Sequence, residues 1–293
     1  MKKAALLIFC FIFFTNIFAQ NLQWGLDLKL KTILQSEFST NTGEYLGNIG
    51  GTDYYAFYDR LTSESNIRFS YFMFIGSKGN VGVKSEFLDT KYEMLDVSVC
   101  KENICIVYLD QEKKDETIIK MDLINPNTFQ KVKTETLISF ESEKKATPYI
   151  KVIQSENKEF KGFVFNKNNN DNKLSIYIYN KEMEEVWSTE YTPGTREYYA
   201  VGDLNLTNSG KALFQFFIFK DRNKQNIEKI LYAELDKQNI SEVIQEDKLD
   251  YKINDYKITP YTQGQYLVVL TSTEKIMGYK LNFKNNSIDE IFS

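Results

Sequence analysis

Among 293 residues, 36 lysines and arginines face 40 aspartates and glutamates, giving a formal net charge of −4, and histidine is absent. The missing imidazoles exclude Ser-His-Asp and Cys-His nucleophile activation, His-based acid–base chemistry and the common zinc sites that contain His. Lysines are interleaved with acids and arginine occurs only at Arg60, Arg68, Arg196 and Arg222, so there is no basic stripe of the kind that displaces counterions from nucleic acid.

The first twenty residues, MKKAALLIFCFIFFTNIFAQ, read as a secretory signal. Lys2 and Lys3 form the basic start, Ala4 to Phe14 the apolar middle, and Asn16 to Ala19 a cleavage site ending in a small residue. An uncleaved anchor, or a lipoprotein modified at Cys10, is the alternative. Against the anchor, the apolar middle is shorter than the roughly 20 residues of a spanning helix. Against the lipoprotein, Phe9 occupies the place of a small residue. Cleavage would leave 21–293 as a soluble chain in the periplasm, on the outer surface or in the medium, with no membrane-spanning segment.

Strand-like patterns then run through the chain. Leu22 to Leu30 (LQWGLDLKL) reads as a lone strand within 22–34, ahead of the first complete repeat. Apolar runs open at Tyr54, Asn103, Lys161, Lys211 and Gly264, at spacings of 49, 58, 50 and 53 residues. Tyr45, Tyr92, Tyr149, Tyr199 and Tyr251 keep the same phase, nine to thirteen residues upstream of each run. Two landmarks in step indicate five repeats, at roughly 45–90, 91–140, 146–195, 196–248 and 250–293. Within each, a strand follows the tyrosine, a near-continuous apolar run suits a strand covered on both faces, a third piece alternates, and a fourth is polar. The second repeat shows this most plainly: YEMLDVSVC, NICIVYLD, TIIKMDL and KVKTETL, with Asn125-Pro-Asn-Thr128 as a turn. Fading burial toward the fourth strand suits an outer, solvated edge.

This layout resembles a β-propeller, with four-stranded antiparallel blades at a period of 40 to 50 residues. The resemblance is architectural: the Trp-Asp ending of WD repeats, the paired glycines of kelch and the Asp box of sialidases are all missing. It implies an all-β single domain over 21–293 of about five blades. The alternatives are a six-blade propeller lacking its last blade, two β-sandwich domains, or a β-solenoid.

Few residues carry chemical promise. Cys100 and Cys105 flank a short hairpin and are expected to form a disulfide outside the cytoplasm. Asp96, Asp203 and Asp255 each stand four residues after a landmark tyrosine. In a propeller they would line the channel, where converging carboxylates could bind a cation or act as acid and base, unless they bond the adjacent blade. Asp59, Asp110 and Asp221, at the ends of second strands, read as turn residues. Arg196 and Tyr198, in the loop TPGTREYY, suit a binding surface. No complete catalytic motif, metal site or cofactor motif is present. The expectation is an exported, non-catalytic module that presents loops to a protein or glycan of the cell envelope. The alternative is a carbohydrate-active enzyme that uses the channel carboxylates, and a third reading makes the chain part of a larger propeller protein.

Overall fold

A computed structural model describes residues 42–63, 66–76, 81–84, 92–110, 116–141, 150–167, 173–193, 198–219, 227–245, 253–262, 264–272 and 274–292. The expected signal at 1–20 and the extra strand at 22–34 lie outside these residues.

The described residues form twenty strands in five sheets. The first sheet holds β1 (Thr42–Ile49), β2 (Thr52–Ser63), β3 (Asn66–Gly76) and β4 (Val81–Lys84). The second holds β5 (Tyr92–Cys100), β6 (Asn103–Asp110), β7 (Glu116–Ile124) and β8 (Lys131–Glu141). The third holds β9 (Ile150–Gln154), β10 (Phe160–Phe165), β11 (Leu174–Asn180) and β12 (Glu185–Tyr191). The fourth holds β13 (Tyr198–Leu206), β14 (Ala212–Phe219), β15 (Ile227–Asp236) and β16 (Asn239–Gln245). The fifth holds β17 (Ile253–Thr262), β18 (Gln265–Ser272), β19 (Ile276–Asn282) and β20 (Ser287–Phe292). Every sheet is an antiparallel meander in chain order, and first strands abut in succession: β1 on β5, β5 on β9, β9 on β13, β13 on β17. The fold is a five-bladed β-propeller.

Burial follows the sequence pattern most fully in the fourth blade; in the fifth, only alternate residues of the second strand β18 are buried, so its two faces are not equally covered. Every residue of β14 (ALFQFFIF) is buried, so both faces of this second strand are covered. In the fourth strands β8, β16 and β20 most side chains are exposed. Lys131 and Lys133 on β8 suit an edge that must not pair with another chain.

Four apolar clusters fill the seams between successive blades. Ile176, Ile178 and Trp187 of the third blade meet Phe214, Phe216 and Ile218 of the fourth. Leu213, Phe217 and Tyr232, on the fourth blade's other side, meet Ile258, Val268 and Leu270 of the fifth. Alternation along one strand therefore feeds two different seams.

The β5–β6 reversal is tight. Lys101 and Glu102 both adopt left-handed φ, at 49° and 56°, in a two-residue turn that ordinarily favours glycine. It is braced on three sides: Glu182 accepts from the Lys101 N–H at 2.6 Å, Glu135 pairs with its ammonium at 3.0 Å, and a disulfide joins Cys100 to Cys105. Closing so short a loop removes about 2 kcal/mol of unfolded-chain entropy. At the end of β6, Asp110 is buried and ion-paired with Lys120 across the hairpin, a stronger tie than the turn-holding role its position suggested.

Polar pins cross the seams as well. Tyr179 Oη donates to the Leu137 carbonyl at 3.0 Å, Tyr191 Oη to Glu242 at 2.6 Å, and Trp187 Nε1 to the Gly210 carbonyl at 3.0 Å. Burial raises the phenols of Tyr179, Tyr191, Tyr232 and Tyr266 above their ordinary value of 10, and Glu185, Glu242 and Glu234 add to this at Tyr179, Tyr191 and Tyr266. A folded-state pKa above the unfolded one contributes stability that is complete below pH about 10 and is lost as pH rises toward the folded value. Stability is therefore expected to hold from pH 7 to 9. Above pH about 10 it should fall, by up to about 1.4 kcal/mol per phenol per pH unit. Denaturant melts with parallel phenolate absorbance test this. Exposed tyrosines such as Tyr261 ionise in the folded chain, so the contradicting result would be ionisation of all 19 tyrosines without unfolding.

Candidate functional site

The first strands form the inner edge of each blade, and there a regular ladder is repeatedly broken. Register shifts occur between Met94 and Asp96, between Val201 and Leu204, and between Ile253 and Asp255. All three sequence-predicted aspartates sit at these bulges, where an extra residue re-aims the side chain. Each begins a short motif: Asp96-Val-Ser98, Asp203-Leu-Asn205 and Asp255-Tyr-Lys257.

Their partners differ. Asp96 is ion-paired with Lys161 of the third blade, and the Lys161 ammonium also donates to Ser98 Oγ at 2.9 Å. Ser98 Oγ in turn donates to Asp96 at 3.0 Å. Lys161 is only 5% exposed, so the pair spans the second seam largely out of water. Asp203 Oδ2 accepts from the Ile258 N–H at 2.8 Å and from Asn205 Nδ2 at 2.8 Å, while Asn205 Nδ2 donates to the Ile258 carbonyl at 2.7 Å. Aspartate and asparagine together thus satisfy both backbone groups of Ile258 on the free edge of β17, as a paired strand would. Asp255 is exposed and its Oδ1 accepts from the adjacent Tyr256 N–H at 2.8 Å. Asp96 and Asp203 are bound into different seams.

A cleft of about 950 Å³ opens where the first-to-second hairpins of the third, fourth and fifth blades meet, on one face of the disc. Gln154 and Glu156 come from the third blade, Thr207 to Ser209 with Lys211 and Glu234 from the fourth, and Lys257 to Pro260, Thr262, Gly264, Tyr266 and Lys284 from the fifth. On its fourth-blade side, Glu234 accepts from Lys211 Nζ at 3.0 Å and from the Tyr266 hydroxyl across the seam. Burial and the Glu234 carboxylate keep Tyr266 protonated, so it serves as a donor. Gly264 holds the rim with φ +73°, and a Cβ there would meet the Lys284 chain at 3.2 Å. None of these residues stood out in the sequence except Lys211 and Gly264, as the starts of apolar runs. A buried tyrosine needs a hydrogen-bond partner, and that need was the available signal for Tyr266.

Arg196 lies outside the described residues, as does the side chain of Tyr198; the backbone of Tyr198 starts β13, at the opposite face from the cleft. Tyr199 packs edge-on to Phe216 at 5.5 Å. Among the described residues no three Cys, Asp or Glu side chains stand together as metal ligands.

No protein-family model matches the sequence, and no curated protein resembles it significantly. Distant likenesses exist among solved structures. The β-propeller domain of the Trilobed protease from Pyrococcus furiosus is 10% identical over 87% of this chain and 86% of that one, with a TM-score of 0.31. An ulvan lyase of a polysaccharide lyase family is 7% identical over 85% of this chain and 69% of its own, with a TM-score of 0.48. A subtype N10 neuraminidase-like protein of A/little yellow-shouldered bat/Guatemala/060/2010 is 7% identical over 83% of this chain and 79% of that one, with a TM-score of 0.41. None of these likenesses carries over a substrate or an activity.

The Asp96–Lys161 pair gives a test of its own. Removing one partner of a buried pair strands the other charge, so Lys161→Met and Asp96→Leu should each cost about 3 kcal/mol, and the double variant much less than their sum. A double-mutant cycle by urea denaturation measures this. Additive losses would show that the two side chains do not depend on each other.

Proposed function

We propose that this chain is an exported binding module, a rigid propeller that takes a glycan or a protein segment into the cleft between its third, fourth and fifth blades. The observation that carries the reading is the employment of the first-strand acids. Asp96 and Asp203 are bound to Lys161 and to the Ile258 backbone, which leaves the exposed Asp255 alone of the three, whereas glycoside chemistry uses a pair of carboxylates. The cleft, by contrast, presents hydroxyls, amides and ammonium groups held on hairpins, an arrangement suited to recognition. Export rests on the signal-like first twenty residues and agrees with a disulfide-bearing chain. The envelope or the medium is then where the ligand is met.

A panel of oligosaccharides and peptides, read by melting temperature and by reducing-end release, tests the module against the enzyme. One ligand class should stabilise the fold, by about 2.7 kcal/mol at a hundredfold excess over Kd, with no release of reducing ends. Sustained turnover that Asp203→Asn abolishes while the protein stays folded would instead establish the carbohydrate-active enzyme.

A further inference from the structure

The charges of the cleft do not cancel evenly. Glu234 is answered by Lys211 and hydrogen-bonded by Tyr266, which removes both it and Lys211 from the free charge of the site. Lys257 and Lys284 are exposed, and no ion pair to either occurs among the described residues. Lys257 is the third residue of the Asp-x-polar motif of the fifth blade. The corresponding Ser98 and Asn205 are consumed in seam contacts; Asn205 lines the cleft as well, but of the three only Lys257 brings a charge to it. Lys284 is steered there because its chain passes over Gly264, which has no Cβ to block it. Two ammonium groups in a chain of net charge −4 are thus delivered to one cavity.

The remaining lining is neutral and rich in hydrogen-bonding groups. Asn208 is exposed and accepts from the Asn157 N–H at 3.0 Å through Oδ1, a bond that does not use its amide donors, and Thr259, Thr262 and Ser209 add hydroxyls. Tyr261 bulges from the β17–β18 ladder between Pro260 and Thr262; those two neighbours line the cleft, whereas Tyr261 stands at its margin, outside the lining, and is 62% exposed. An exposed, backbone-anchored tyrosine beside a polar cavity is a platform for the apolar face of a sugar ring. A bare phosphate would use the lysines alone; an extended peptide pairing along the edge of β17 would find both backbone groups of Ile258 already taken by Asp203 and Asn205.

We propose that the cleft recognises an acidic oligosaccharide, its carboxylate or sulfate groups held by Lys257 and Lys284 and one ring stacked on Tyr261. This rests on the binding-module reading and gives that module its ligand class. Glu156, on the third-blade side, accepts ring hydroxyls there.

Titration calorimetry of the purified chain with three tetrasaccharides tests it: a galacturonate, a sulfated galactose and neutral cellotetraose. At least one acidic probe should bind, at least about tenfold more tightly than cellotetraose, and more weakly as salt rises from about 50 to about 500 mM. Lys257→Ala with Lys284→Ala, and separately Tyr261→Ala, should each weaken binding about tenfold or more with the melting temperature unchanged. Lys257→Arg should preserve it. The stronger of the two acidic probes identifies carboxylate or sulfate as the preferred group. Equal binding of cellotetraose, or acidic binding that survives the lysine variants and high salt, would overturn the ligand class but keep the module. Failure of both acidic probes while a peptide or neutral sugar binds at the cleft would do the same.

Discussion

A four-stranded meander of this composition cannot stand alone, because its second strand is apolar on both faces and needs a neighbouring sheet on each side. β14 makes the point: Phe214 and Phe216 enter the seam with the third blade, and Leu213 and Phe217 the seam with the fifth. Among the described residues the second, third and fourth blades are thus each a spacer between two cores. At roughly 25 cal/mol per Å² of buried apolar surface, such faces favour stacking strongly but say little about angle or register, since the hydrophobic effect has no direction. Orientation comes from the polar pins.

Those pins have a common logic. A first strand is a sheet edge, with backbone groups that its own blade leaves unpaired. Asp203 and Asn205 satisfy Ile258 of the next blade on both its N–H and its C=O. Asp96 and Ser98 hold Lys161 instead. In the fifth blade the same positions carry Asp255 and Lys257, both exposed. One recurring pattern therefore serves as mortar in two blades and releases a cation into a cleft in a third. Function in a repeat protein can arise in this way: a position needed for assembly elsewhere becomes available where its partner differs.

Much of the architecture was legible in the sequence. The spacing of Tyr54, Asn103, Lys161, Lys211 and Gly264 located the second strand of each blade, because a strand covered on both faces must be apolar without interruption. The segments YEMLDVSVC and NICIVYLD coincide with β5 and β6. The site was not legible to the same degree. Recurrence pointed to Asp96, Asp203 and Asp255, but their partners lie 65 and 55 residues away at Lys161 and Ile258, in the next repeat or the next blade's first strand. Lys161 gave no warning, since a lysine opening an apolar run resembles a surface residue until its ammonium is seen buried. Tyr266 and Glu234 were hidden for a related reason: each follows its own strand's alternation, and only the seam brings them together.

The central claim is that the first-strand acids Asp96 and Asp203 are structural pins between blades, and amide hydrogen exchange at Ile258 tests it most directly. With Asp203 accepting its proton, the Ile258 amide should exchange as slowly as core amides of β14, and Asp203→Ala should accelerate it selectively while those core amides keep their protection. An Ile258 amide that exchanges at the rate of an open edge in the wild-type protein would contradict the account.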